Sequence, residues 1–70
     1  MMIEKYDEII YKKPNEVEEN DVLGTWEIVE EVGSYGDTIH ITTTTLDGDI
    51  NWDMELENNI LIEVIGKVIE

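Results

Sequence analysis

The sequence predicts an α+β domain, a four-stranded antiparallel β-meander with a short N-terminal helix packed on one face. Three observations lead there. Apolar and polar residues alternate one for one over residues 50–56, the period of a half-buried strand. Turn-forming residues separate strand-length runs at residues 33–36, at Asp47-Gly48 and at Asn58-Asn59. At the start of the chain, Ile3, Tyr6, Ile10 and Lys13 instead fall at helical spacing. The alternative is a five-stranded all-β small barrel. Seventy residues make a single small acidic domain, near the lower size at which a chain folds without disulfides or metals. It divides into residues 1–13 (helix or strand), a polar connector at 14–22, and the meander at 23–69.

Taken in order, the first segment has acids early and lysines late, as a helix dipole favours. Yet Ile9-Ile10-Tyr11 before Lys12-Lys13-Pro14 also suits a strand, so both assignments stay open, with the helix preferred. The connector PNEVEEND is polar. A strand near residues 23–32 then meets one starting near Asp37 through a four-residue loop, Gly33-Ser34-Tyr35-Gly36. That loop sets Ile28 opposite Ile41 and Trp26 opposite Thr43. Next, Asp47-Gly48 between alternating runs reads as a type I′ hairpin, which needs positive φ at both central residues. Counting outward pairs Thr45 with Ile50, Thr43 with Trp52, Ile41 with Met54 and Ile39 with Leu56. A one-residue slip would bury the acids, so this register is strongly specified. Finally, a loop of Glu57, Asn58 and Asn59 lays Ile60, Ile62 and Val64 beside Leu56, Met54 and Trp52.

Charge narrows the function. Eighteen acids face four lysines and no arginine, for a net charge of -14. Between Pro14 and Gly66 there are fourteen acids, no lysine or arginine, and only His40. Direct nucleic-acid binding is excluded, because that affinity comes from lysine and arginine releasing counterions from phosphates. A hydrophobic content of 41% with two tryptophans separates the chain from disordered acidic segments. There is no cysteine, hence no disulfide framework and no cysteine-based zinc site. No run approaches membrane-spanning length, and MMIEKYDEIIYKK lacks the apolar core of a signal peptide. These features predict a cytoplasmic location.

Catalytic and metal constellations fail on their details. Asp47, Asp49, Asn51 and Asp53 have the odd-position spacing of a calcium-binding EF-hand loop. Trp52, however, stands where that loop needs glycine, and Asn58 where it needs a bidentate glutamate. Ser34 in VGSYG is not spaced as a nucleophile elbow, and a glycine-rich loop explains it. His40 falls beside Glu55 on the acidic face, a surface pair and not a general base. A carboxylate dyad needs a cleft with a buried acid, which a chain of this size does not readily build. The reading is a non-enzyme with no cofactor and no metal.

One stretch, LGTWEIVEE at residues 23–31, resembles the Gly-x-Trp opening strand of lipocalin-type barrels, which implies binding of small apolar ligands. The likeness spans nine residues, and the eight strands of that family exceed the four or five available here. A core role explains Trp26 more simply.

The outward face of the predicted meander carries the functional reading. One row holds Glu27, Thr42, Asp53 and Glu63, its neighbour Val29, His40, Glu55 and Leu61, with Glu31 and Glu57 towards one end and Asp49 towards the other. Acids two apart on a strand lie about 7 Å from each other, so a rigid sheet of carboxylates approximates a row of phosphates. The expected partner is a basic nucleic-acid-binding protein, a nuclease or effector complex, engaged through Glu27, Glu31, Asp49, Asp53, Glu55, Glu57 and Glu63. In size and charge the chain is similar to anti-CRISPR, anti-restriction and uracil-DNA glycosylase inhibitor proteins, the kind phages and mobile elements encode. No motif carries that similarity. The alternative is an assembly module: the last strand is apolar on both sides, with Leu61, Ile65 and Ile69 alternating with Ile62, Val64 and Val68, and predicts a homodimer through that strand. A small apolar-ligand binder is the third reading.

Overall fold

A computed structural model describes residues 1–48 and 50–69. Among these the chain forms six strands and no α-helix: β1 (Ile3–Lys12), β2 (Asp21–Leu23), β3 (Glu27–Tyr35), β4 (Thr38–Thr45), β5 (Asn51–Glu57) and β6 (Ile62–Val68), with one 3-10 turn at Pro14–Glu16. All pair antiparallel in one sheet ordered β1-β6-β2-β3-β4-β5, curled into a half-barrel. The predicted α+β meander is therefore corrected, and the all-β alternative lies nearer. Among the described residues no helix is long and apolar enough to cross a membrane.

The N-terminal helix is replaced by β1, and a bulge explains the misleading spacing. From Lys5↔Gly66 to Ile10↔Val64, β1 advances five residues while β6 advances two. Extra residues reset the alternation of a strand, so Tyr6 packs against the core at a spacing that imitates a helix. β1 crosses β6 closely at Gly66, where a Cβ would lie 2.5 Å from the Glu4 carbonyl oxygen.

The β5–β6 hairpin is also absent. β6 leaves β5 and inserts between β1 and β2, with the Asn58 side chain accepting a hydrogen bond from the Asn15 N–H at 3.0 Å. Cross-strand charge favours this placement. The predicted hairpin would set Glu63 opposite Asp53, whereas here Lys67 stands between its register partners Glu4 and Asp21. Opposite charges stabilise such pairs and like charges destabilise them.

Between β3 and β4 the connection is Gly36-Asp37, closed by the pair Tyr35↔Thr38, and not the predicted loop at 33–36. Gly36 takes φ +58, a conformation that costs glycine little. The register is shifted between Val29 and Glu31 by a bulge, so Val32 faces Ile41 and Val29 faces Thr43. Glu30, the surplus residue, inverts the facing of everything before it.

β4 and β5 pair as the alternation predicts, from Thr38↔Glu57 through Ile41↔Met54 to Thr44↔Asn51. Their turn differs in type. Of the two predicted central residues, Gly48 has positive φ (+78) and Asp47 does not, and Gly48 N–H donates to the Thr45 carbonyl at 2.9 Å.

The core joins Val17, Leu23, Val29, Ile39, Ile41 and Val64, with Tyr6, Val32, Met54, Leu56 and Ile62 packed against it. Residues 14–22 thus do more than connect. Pro14, Val17, Asp21 and Val22 are buried, and Asp21–Leu23 is strand β2. Trp26 is not a core residue: it sits in the β2–β3 turn at φ +66, 46% exposed, with the Lys5 ammonium 5.5 Å above its ring.

Candidate partner-binding face

The strongest local determinant in the chain, the β4–β5 register, also builds the acidic face. On β4 the inward residues Ile39, Ile41 and Thr43 are buried, while Thr38, His40, Thr42 and Thr44 alternate outward. Pairing carries Glu57, Glu55 and Asp53 of β5 to the same outward side, opposite Thr38, His40 and Thr42. From β3, Glu31 pairs with Thr42. Glu31, His40, Thr42, Asp53 and Glu55 line one shallow depression with Tyr35 at its rim.

The depression is anionic but relieved of direct like-charge contacts. Thr42 Oγ1 donates to Asp53 Oδ1 at 2.9 Å. The His40 Nε2 lies 3.8 Å from Glu55 Oε1, and the His40 ring tilts 55° against Tyr35 at 5.3 Å. Thr42, in register between Glu31 of β3 and Asp53 of β5, therefore separates those two carboxylates, as strand stability requires. The region from Glu27 to Glu57 contains no lysine or arginine.

The structure brings together Glu31, Asp53, Glu55 and Glu57 of the sequence-predicted residues. It does not bring Glu27 or Glu63. The bulge at Glu30 turns Glu27 to the inner side, where its carboxylate accepts from Thr25 Oγ1 at 2.6 Å and Thr43 Oγ1 at 2.8 Å. Glu63 follows β6 away from β5, pairs across with Tyr11, and lies against Gly24. Asp49 falls outside the described residues. As for the candidate dimer strand, both edges of β6 are occupied by β1 and β2. Leu61 and Ile69 stay exposed and Ile65 half-buried, so only their side chains remain to meet another copy.

The acidic connector has a separate role that sequence reasoning missed. Asp21, 1% exposed, receives Lys12 Nζ at 3.0 Å and the Glu18 N–H at 2.9 Å on its Oδ2. Glu18 itself stands 3.9 Å from Lys12, and Glu16 accepts the Lys13 N–H at 2.8 Å. Asp21 and Glu18 thereby tie the end of β1 to the start of β2. Only a pairing of β1 with the connector, invisible in local periodicity, could have flagged them. The Asp47 carboxylate takes the Thr45 hydroxyl, which ties it to its own turn. Among the described residues no three His, Asp or Glu side chains are grouped to hold a metal ion.

Compared with known families, curated proteins and solved structures, the chain matches none.

Proposed function

We propose that this chain is a small acidic inhibitor that mimics nucleic acid, occluding the basic groove of a nucleic-acid-binding protein in the manner of anti-CRISPR or anti-restriction proteins. One observation carries the reading. Glu31, Asp53, Glu55 and Glu57 stand on one face of a rigid antiparallel sheet, within a stretch devoid of lysine and arginine. Acids two apart on β5 recur at about 7 Å, on backbone fixed by pairing to β4. Such a face presents regularly spaced negative charge to a groove lined with lysine and arginine. Its association is fast and weakened by salt, because complementary fields steer the encounter.

Position separates this reading from net charge alone. Asp53→Asn with Glu55→Gln removes two charges from the face. Glu8→Gln with Glu19→Gln removes two from exposed sites in β1 and the connector. With each variant immobilised in the same cell lysate, the first pair loses several-fold of the retained basic protein and the second loses little. Equal losses from both pairs mean that net charge does the binding and the face does not.

A further inference from the structure

The sheet ends in β1 on one side and β5 on the other, and the two edges differ. β1 is broken by its bulge, carries Lys5 and Lys12, and runs into Pro14, the devices that keep an edge from recruiting strands. β5 runs seven residues in unbroken register with β4, and among the described residues no strand flanks its other side.

Hydrogen-bond parity says which groups face outward. Thr45 N–H donates to the Ile50 carbonyl at 3.0 Å, and antiparallel pairs that exchange such bonds alternate with pairs that do not. Trp52, Met54 and Leu56 therefore bond to β4. The backbone N–H and C=O groups of Asn51, Asp53, Glu55 and Glu57 point to the open edge.

Beside that edge, on the inner face, the half-barrel stays open because β6 does not pair with β5. The gap is a mostly apolar groove of about 380 Å³ between Met54 and Leu56 on one wall and Leu23, Ile60 and Ile62 on the other, with the Glu27 and Glu63 side chains also in its lining. Trp52 continues the apolar wall and is 53% exposed. An edge with free backbone groups, an apolar trough on one face and carboxylates on the other together describe a docking strip.

Charge selects the occupant. A second copy adding its own β5 antiparallel would press Asp53, Glu55 and Glu57 against the same acids. A second copy adding β1 brings three acids against two lysines over Ile3–Lys12, with Lys12 already bound to Asp21. We infer that β5 is a strand-addition site for an extended basic segment of the partner protein, in which lysine or arginine alternates with apolar residues. The apolar side chains enter the groove, the cations lie beside Asp53, Glu55 and Glu57, and main-chain bonds form along the edge, the general mode of β-augmentation. The proposal rests on the reading of the acidic face for the sign of the partner's charge, and adds how the partner is gripped.

The test is an NMR titration of the isotopically labelled full chain with synthetic decapeptides of three designs. One alternates lysine and valine. One has the same composition with lysines and valines in separate blocks. The third is the alternating peptide N-methylated at every second residue, on whichever parity faces β5, with both parities made. The alternating peptide shifts the amide resonances of Asp53 and Glu55 and slows their hydrogen exchange. It also binds at least about tenfold tighter than the blocked peptide, and N-methylation on one parity removes that advantage. Equal binding of all peptides overturns strand addition while leaving a charge-only face intact. Asp53→Asn with Glu55→Gln, which tests the acidic face, discriminates further. Undiminished peptide binding by that variant marks failure of the charge reading, and unaltered β5 exchange marks failure of this one. Slow β5 amide exchange without peptide, accompanied by dimer-sized scattering, also overturns it by making a second copy the occupant.

Discussion

Asp21 shows how much one side chain's surroundings decide. In sequence it is one acid of four in the connector, together with Glu16, Glu18 and Glu19. In the fold it alone is buried, holding Lys12 and the Glu18 N–H on one oxygen. Asp21→Ala leaves the part-buried Glu18 N–H without its acceptor and takes the nearest anion from Lys12, so it costs about 1–3 kcal/mol. Asp21→Asn, which still accepts from Glu18, costs less. Urea denaturation of the two variants checks the order. Two glycines make a matched contrast. A Cβ on Gly66 would meet Glu4 backbone at 2.5 Å, whereas one on Gly33 has open space. Gly66→Ala therefore destabilises by about 1–3 kcal/mol, as forced overpacking does, and Gly33→Ala leaves the midpoint nearly unchanged. At this scale the sequence was a partial guide. The outward placement of Asp53 and Glu55 follows from alternation around a local turn. The inward placement of Glu27 depends on a single surplus residue, Glu30, that no periodicity announces.

At the scale of elements, what was legible is what is local. β4 and β5 are joined by a short turn and their alternation has one solution, so their register could be counted outward from Gly48. β1 was not legible, because the bulge after Lys5 spaces Ile3, Tyr6 and Ile10 as a helix would. β6 was misplaced because adjacency in sequence favours a hairpin with β5, while its charge prefers distant partners. That preference is testable. Lys67 is the only cation on β6 and stands in register between Glu4 and Asp21. Lys67→Glu places three carboxylates in one row and costs about 1–2 kcal/mol. Lys13→Glu, the same charge change on an exposed residue after β1, costs much less. Thermal unfolding of both reads the difference directly.

For the molecule as a whole, the charge asymmetry of the chain becomes an asymmetry of the sheet. All four lysines lie in β1, just after it, or in β6, at one end of the strand order. The opposite end, β3 to β5, is anionic and carries no lysine or arginine. A net charge of -14 on 70 residues opposes compaction, and salt screens that repulsion over about 10 Å at 0.1 M. The melting temperature should accordingly rise with added sodium chloride, by roughly 5–10 °C for each 1–2 kcal/mol relieved. A fall would mean that the Lys12–Asp21 pair and its neighbours outweigh the repulsion. Such a one-signed end, set on rigid strands and bordered by an open edge, is suited to a basic partner, and capture of that partner is the most direct measurement. The native chain is immobilised and exposed to bacterial lysate at low and high salt, with duplex DNA as competitor. The account predicts that a basic nucleic-acid-binding protein is retained at low salt, released at high salt and displaced by the DNA. Retention of nothing basic, or of a partner indifferent to both salt and DNA, contradicts it.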